Sequence, residues 1–128
     1  MKKLLKSDFE YFKTCCEKWA DFFGLKSWCI SYIWEEQDAL EESSQAWVIA
    51  DYLNHMATIY FNKEWIDDES LFTKKNIDFI AFHEICEVIL YRLGDLALDR
   101  FNVTEDSLLQ ARHEICHILE NSIFATYK

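Results

Sequence analysis

Thr73-Lys74-Lys75-Asn76-Ile77-Asp78-Phe79-Ile80-Ala81-Phe82-His83-Glu84-Ile85-Cys86-Glu87-Val88-Ile89-Leu90-Tyr91-Arg92-Leu93-Gly94-Asp95-Leu96 decides how this chain reads. Apolar residues recur in it at Ile77, Ile80, Ala81, Ile85, Val88, Ile89, Leu93 and Leu96, the period of a helix with one buried stripe. Thr73 is placed to cap its first turn, with Phe72 and Ile77 as a hydrophobic staple around it. The helix is predicted over 74–99, stopping near Arg100. Its centre carries His83-Glu84-Ile85-Cys86-Glu87. Thirty residues later nearly the same letters return as His113-Glu114-Ile115-Cys116-His117.

The second copy lies in another helical pattern, carried by Leu108, Ala111, Ile115, Ile118 and Leu119 and predicted over 104–124. Thr104 suits its N-cap, and Glu105 and Asp106 suit the positive end of its dipole. A short connection makes the two helices antiparallel neighbours. Residues equally far from a turn at Arg100 then lie at one level. Glu87 falls level with His113, and His83 with His117. Residues four apart on a helix stand on one face. Two pairs of metal-competent side chains are thus expected at matching heights.

The first half alternates helix and strand. Residues 8 to 23 place Phe9, Phe12, Cys16, Trp19, Ala20 and Phe23 at helical spacing, ending at Gly24. From Trp28 to Trp34 the pattern alternates, with Trp28, Ile30, Tyr32 and Trp34 on one side, which reads as a strand. The acidic stretch 35–44 reads as a loop. Gln45 to Tyr52 and Met56 to Phe61, with Asn54 between them, read as a hairpin. The expected fold is α+β in one domain spanning 1–128. It has an N-terminal helix, a small three-stranded antiparallel sheet, and two long antiparallel C-terminal helices covering one face of that sheet.

Composition narrows the function classes. The 128 residues are half apolar and 16% aromatic, enough for a packed core, with two glycines and no proline. A Gly-rich phosphate loop and a flexible linker are excluded on that ground. The net charge of −10 argues against naked nucleic acid as a ligand. Acid is densest at Glu35, Glu36, Asp38, Glu41 and Glu42, and again at Asp67, Asp68 and Glu69. These runs read as solvated loops or, more sharply, as a surface that imitates DNA and occupies a basic groove on another protein. No apolar run approaches the roughly 20 residues that span a bilayer. Met1-Lys2-Lys3-Leu4-Leu5-Lys6 begins like a secretory leader but meets Asp8 at once, so it reads as the start of a cytoplasmic protein. Five cysteines, an odd count with Cys15 and Cys16 adjacent, read as free thiols.

Imidazole and carboxylate groups with water completing the shell suit zinc. His113 and His117 form the letters HExxH, in which two histidines bind the ion and Glu114 would act as base. The region after His117 offers only Glu120 as a further ligand. The first motif gives a simpler set: His83 and Glu87 from one helix and His113 from the next, two His and one Glu. His117 remains an alternative or a fourth ligand. Cys86 and Cys116 read as small packing groups rather than soft ligands. The pattern Glu84-x-x-Glu87 with Glu114-x-x-His117 also has the look of a di-iron bundle, which needs four helices where this chain offers three. His55, on the hairpin turn, reads either as approaching the site or, as is commoner for a loop histidine, as exposed.

Ala81-Phe82-His83-Glu84-Ile85-Cys86-Glu87-Val88-Ile89-Leu90, with Ala111-Arg112-His113-Glu114 and Leu119-Glu120-Asn121, resembles the small phage and prophage zincin-like metallopeptidases. The likeness covers most of the chain and is specific in its last 50 residues. It implies a zincin-like fold, with His83 a zinc ligand, Glu84 the catalytic base and His113 the third ligand. Glu87 stands where the commoner residue is His. The resemblance implies a zinc-dependent hydrolase in which Glu84 takes a proton from metal-bound water. The substrate would be a peptide added to an edge strand over residues 45–52. Against this stands a second class: a non-catalytic acidic interaction protein, a DNA mimic or inhibitor, on the same scaffold.

Overall fold

The computed structural model describes residues 4–35, 45–63, 73–99 and 101–127. Helix α1 (Lys6–Phe22) leads into strand β1 (Cys29–Glu35). Strands β2 (Ala46–Asp51) and β3 (Met56–Asn62) form the hairpin. Helices α2 (Lys74–Leu98) and α3 (Glu105–Leu119) follow, and a π-helical turn, Glu120–Phe124, extends α3. The acidic runs 36–44 and 67–69, the staple residue Phe72 and the turn residue Arg100 lie outside the described residues.

Local chemistry sets the helix ends. The Thr73 hydroxyl accepts from the Asn76 N–H at 3.1 Å, and the Thr104 hydroxyl from the Ser107 N–H at 3.0 Å. Each satisfies an N–H left open at a helix start, worth about 1 kcal/mol. At the end of α1, Gly24 takes φ +71°, where a side chain would be strained. The chain turns back there, and the Leu25 N–H reaches the Ala20 carbonyl at 2.9 Å.

The sheet is mixed, not antiparallel as the hairpin and alternation had implied. Its order is β1-β3-β2, with β1 parallel and β2 antiparallel to β3. Alternation tells which residues share a face but not which strands are neighbours. Burial explains the order. Ala57, Ile59 and Phe61 make β3 the most buried strand, so it takes the centre, and the half-buried β1 and β2 become edges. Three cross-strand rows then line one face: Ile30–Ala57–Ala50, Tyr32–Ile59–Val48 and Trp34–Phe61–Ala46. On the opposite face Trp47 and Tyr60 stack at 5.0 Å.

The inner face is covered by α1 and α2, where α2 and α3 had been expected. Phe12 stacks on Phe61 at 4.4 Å and Phe9 on Trp34 at 6.0 Å. Ile77, Ile80, Ala81, Ile85 and Val88 of α2 join the same buried cluster. Each such large side chain contributes about 2–3 kcal/mol through apolar area removed from water. Trp19 and Lys18 of α1 both donate to Asp78 of α2, at 2.8 and 3.0 Å, tying the two helices at their rim. Helix α3 buries only Ala111 and is mounted on α2 rather than on the sheet. No helix among the described residues is long and apolar enough to cross a membrane.

Candidate functional site

The two His-Glu-Ile-Cys segments occupy different surroundings. In α2 the apolar stripe points at α1 and the sheet, and Glu84 falls within it. Its side chain is buried, 5% exposed, between Ala81, Ile85 and Val88. Burial, reinforced by the charge of Glu87, pushes its carboxyl up to about 7. On α1 opposite, burial raises the Cys16 thiol well above its usual range, and the charge of Glu84 adds to that. His83 and Glu87 lie on the solvent side of the same helix, with Nε2 and Oε1 3.5 Å apart.

Helix α3 approaches α2 from elsewhere. Arg92 reaches Gln110 and Glu114, while Val88 and Ile89 share a cleft wall with His117 and Ile118. Numbers rise on one helix as they fall on the other, so the two are antiparallel, as their short connection implied. At 100° per residue, His83 lies about 180° around α2 from Arg92, and Glu87 about 160° from Ile89. The predicted α2 ligands thus sit on the side away from α3. Level alone had ignored this rotation. The level itself also differs: Arg92 and Glu114 meet about a turn midway at Val103, not at Arg100.

His113 and His117 are exposed on α3, their rings 6.4 Å apart, and His117 Nδ1 lies 3.6 Å from Glu120. The structure therefore keeps two separate pairs, His83 with Glu87 and His113 with His117. Among the described residues no group of three or more His, Cys, Asp or Glu side chains is placed to hold a metal. A catalytic zinc needs three protein ligands and an open position. The donor set present does not fit that requirement. Cys86 is half-buried and Cys116 exposed, and neither joins a cluster.

Glu114 has a different role from its counterpart. The Arg92 guanidinium donates to its carboxylate and, at 2.9 Å, to the Tyr52 hydroxyl, which in turn donates to Glu114 at 3.0 Å. The guanidinium carbon also lies 4.8 Å from the centre of the Tyr52 ring. One three-residue clamp thus joins α2, α3 and the hairpin turn. The Tyr52 hydroxyl is raised from its ordinary value by burial and by its bond to Glu114, against the opposing charge of Arg92. Sequence reasoning missed this clamp. A signal was present: Arg92 is the single Lys or Arg between Asn76 and Asp99, set in a strongly apolar helix.

Beside the clamp lies a cleft of about 360 Å³, between the start of β1, the hairpin turn, α2 and α3. His55 is on its wall, not free on the turn. It adopts φ +51°, which non-glycine residues reach rarely and at a cost of about 1 kcal/mol or more. Its ring stacks on Trp28 at 4.9 Å, and its Nδ1 lies 3.0 Å from the Ser27 hydroxyl. Those contacts, with the Cys29 N–H bonded to its carbonyl at 2.8 Å, hold the turn against the first strand.

What fold and site define together is an α+β domain with a clamped three-way junction. No family model, no curated protein and no solved structure matches the chain. The likeness to zincin-like metallopeptidases accordingly stands on its quoted motifs.

Proposed function

We propose that this chain is a non-catalytic, acidic protein-binding domain, the second of the two classes weighed from its sequence. One observation carries the reading. The glutamate that would serve as base is buried against α1, while the histidine and glutamate that would hold the ion face solvent on the adjoining face of α2. A base must come within hydrogen-bond reach of the water it deprotonates, at about 2.6–3.2 Å. Neighbouring helical residues point about 100° apart, and here the fold uses that angle to divide the motif between core and surface.

The charge of −10 supports binding as the function. A strongly negative surface speeds encounter with a basic partner and disfavours acidic ones. The partner in this reading is a protein with a basic surface, of the kind that otherwise holds nucleic acid.

A hydrolysis assay tests the reading. The purified chain, with one equivalent of zinc, is incubated with casein and with a mixed fluorogenic peptide library. The expected result is no turnover above zinc alone. Zinc-dependent turnover that disappears in Glu84→Gln and in His83→Ala would establish the hydrolase instead.

A further inference from the structure

A trough of about 460 Å³ runs between the hairpin tip and the last turns of α2. Its floor and walls include Ala50, Leu53, Leu96, Asp51, Asp95 and Asp99. Of its apolar members, Ala50 and Leu96 are half-buried and Leu53 is open. Leu53 at the hairpin tip is 89% exposed. Leu98 and Phe101, each within two residues of Asp99, are 83% and 94% exposed. Leu53 presented openly on the wall of a groove, with Leu98 and Phe101 exposed close in the chain to its Asp99, points to an interaction surface.

The trough's lining also includes Arg92, which is paired with Glu114, and its remaining charged members are the carboxylates Asp51, Asp95 and Asp99. Asp51 is held by Asn54, whose side-chain amide donates at 2.6 Å, and Asp99 accepts from the Asn102 N–H at 3.1 Å. Both carboxylates are thereby fixed in place. No salt bridge reaches Asp51, Asp95 or Asp99 among the described residues. The nearby cation, Arg92, is already matched by Glu114. The trough therefore offers apolar anchors and three carboxylates that have no ion-pair partner among the described residues.

We infer that this trough docks an apolar segment carrying Lys or Arg, supplied by a partner protein as an amphipathic helix. This deepens the binding-domain reading and rests on it. Apolar side chains of the segment would enter between Leu53 and Leu96, and its cations would meet Asp51, Asp95 and Asp99 at the rim. That is the helix-in-groove mode, with apolar anchors giving affinity and rim charges giving selection and on-rate. A second copy of this chain is a poor occupant, because it would bring the same carboxylates against these.

The probe is an 18-residue synthetic helix of Leu and Lys, amphipathic at helical period, with a matched Leu and Glu peptide as control. Binding is followed by calorimetry and by amide resonances of the labelled full chain. The expected result is saturable binding of the Leu/Lys peptide at 150 mM salt, with shifts concentrated at residues 50–53, 95–99 and 101. Affinity should fall at least tenfold in the double variant Leu53→Asp and Phe101→Asp, and also in Asp95→Lys. Both sites are open to solvent, and circular dichroism confirms that the variants stay folded. The Leu/Glu peptide should not bind. Four results would each overturn the inference: no binding, unchanged affinity in both variants, shifts centred on other surfaces, or a dimer in sedimentation that Leu53→Asp dissolves. None of these touches the hydrolysis assay, so a failure here leaves a binding domain with another docking face. Zinc-dependent turnover removes the parent reading itself.

Discussion

His83-Glu84-Ile85-Cys86 and His113-Glu114-Ile115-Cys116 are the same four residues on two helices, and almost nothing about them is alike in space. In α2 the isoleucine is fully buried and the glutamate sits beside it in the core. In α3 the isoleucine is half-buried and the glutamate reaches out to Arg92 and Tyr52. The difference follows from what each helix packs against. Helix α2 lies between α1, the sheet and α3, so most of its circumference is covered. Helix α3 touches mainly α2, so a narrow stripe is covered and the rest is wet. Four identical letters thus have no fixed role, and a motif has meaning only once the helix's rotation is known.

The largest expected effect breaks the symmetry at the isoleucines. Ile85→Ala should lower stability by about 3 kcal/mol, through lost burial and a cavity that the packed α1–α2–sheet core cannot close. Ile115→Ala should lose less than about 1 kcal/mol, because neighbouring side chains and water can fill the space. Urea unfolding of both variants makes the comparison. Equal losses would mean that α3 is part of the main core.

The glutamates should differ in sign. Glu84 carries a carboxyl raised from 4.5 to about 7 in the folded chain. The folded state therefore holds this proton to higher pH than the unfolded state does. Stability from this group is fully present below about 4.5 and is lost as pH rises towards 7, a total on the order of 3 kcal/mol. Glu84→Gln keeps the shape and removes the titration. It should stabilise the chain by up to about 2–3 kcal/mol at pH 8, change little at pH 4, and flatten stability against pH between them. Glu114→Gln should instead destabilise by about 1 kcal/mol, since it leaves the guanidinium of Arg92 with only the neutral hydroxyl and amide groups. A destabilising Glu84→Gln at pH 8 would show that the buried carboxylate has a favourable ionised role.

At the cysteines the difference is one of rate. Cys116 is exposed, whereas Cys86 is half-buried and its thiol is raised by burial and by the charge of Glu87. The thiolate is the reactive form. Alkylation at pH 8, followed by peptide mapping, should label Cys116 before Cys86, with the buried Cys15 and Cys16 last. Labelling of Cys86 first would place its side chain on the open side of α2.

Much of the fold could be read from local chemistry. Thr73 and Thr104 identified two helix starts because a cap is a short-range bond between a hydroxyl and an N–H three residues on. Alternation from Ile30 to Trp34 identified the buried face of β1 for the same reason. Strand order was not legible, because Cys29 pairs with Met56 across 27 positions and nothing local encodes which neighbour β3 will choose. The site was legible as letters and not as geometry. Level arithmetic put Glu87 beside His113, while the buried stripe through Ile85 and Val88 turns Glu87 away from α3. That stripe was visible in the sequence, and treating it as a constraint on rotation would have separated the two pairs. The Arg92 clamp needed tertiary information for its partners, although a lone cation in an apolar helix was the sign of it.

The smallest expected effects concern the histidines, and they test the comparison most directly. His83 and His113 are both exposed, His83 beside Glu87 and His113 beside His117, and neither belongs to a group of three candidate ligands among the described residues. His83→Ala and His113→Ala should each change stability by no more than about 0.5 kcal/mol, the usual range for surface substitutions. Zinc should not alter this. A site that bound zinc in the folded state alone would raise stability by about 2.7 kcal/mol at a free zinc concentration 100 times its dissociation constant. Two separate i,i+4 pairs lack the ligands for tight binding, so thermal unfolding at one equivalent of zinc should coincide with unfolding in chelator. The informative exception is a zinc-dependent rise that His83→Ala and His113→Ala each abolish. Only a shared ion explains that result, because independent pairs would each retain half of the effect. It would bring the two motifs back to one point, require α2 to rotate by about half a turn, and return Glu84 to the solvent side where a base could act.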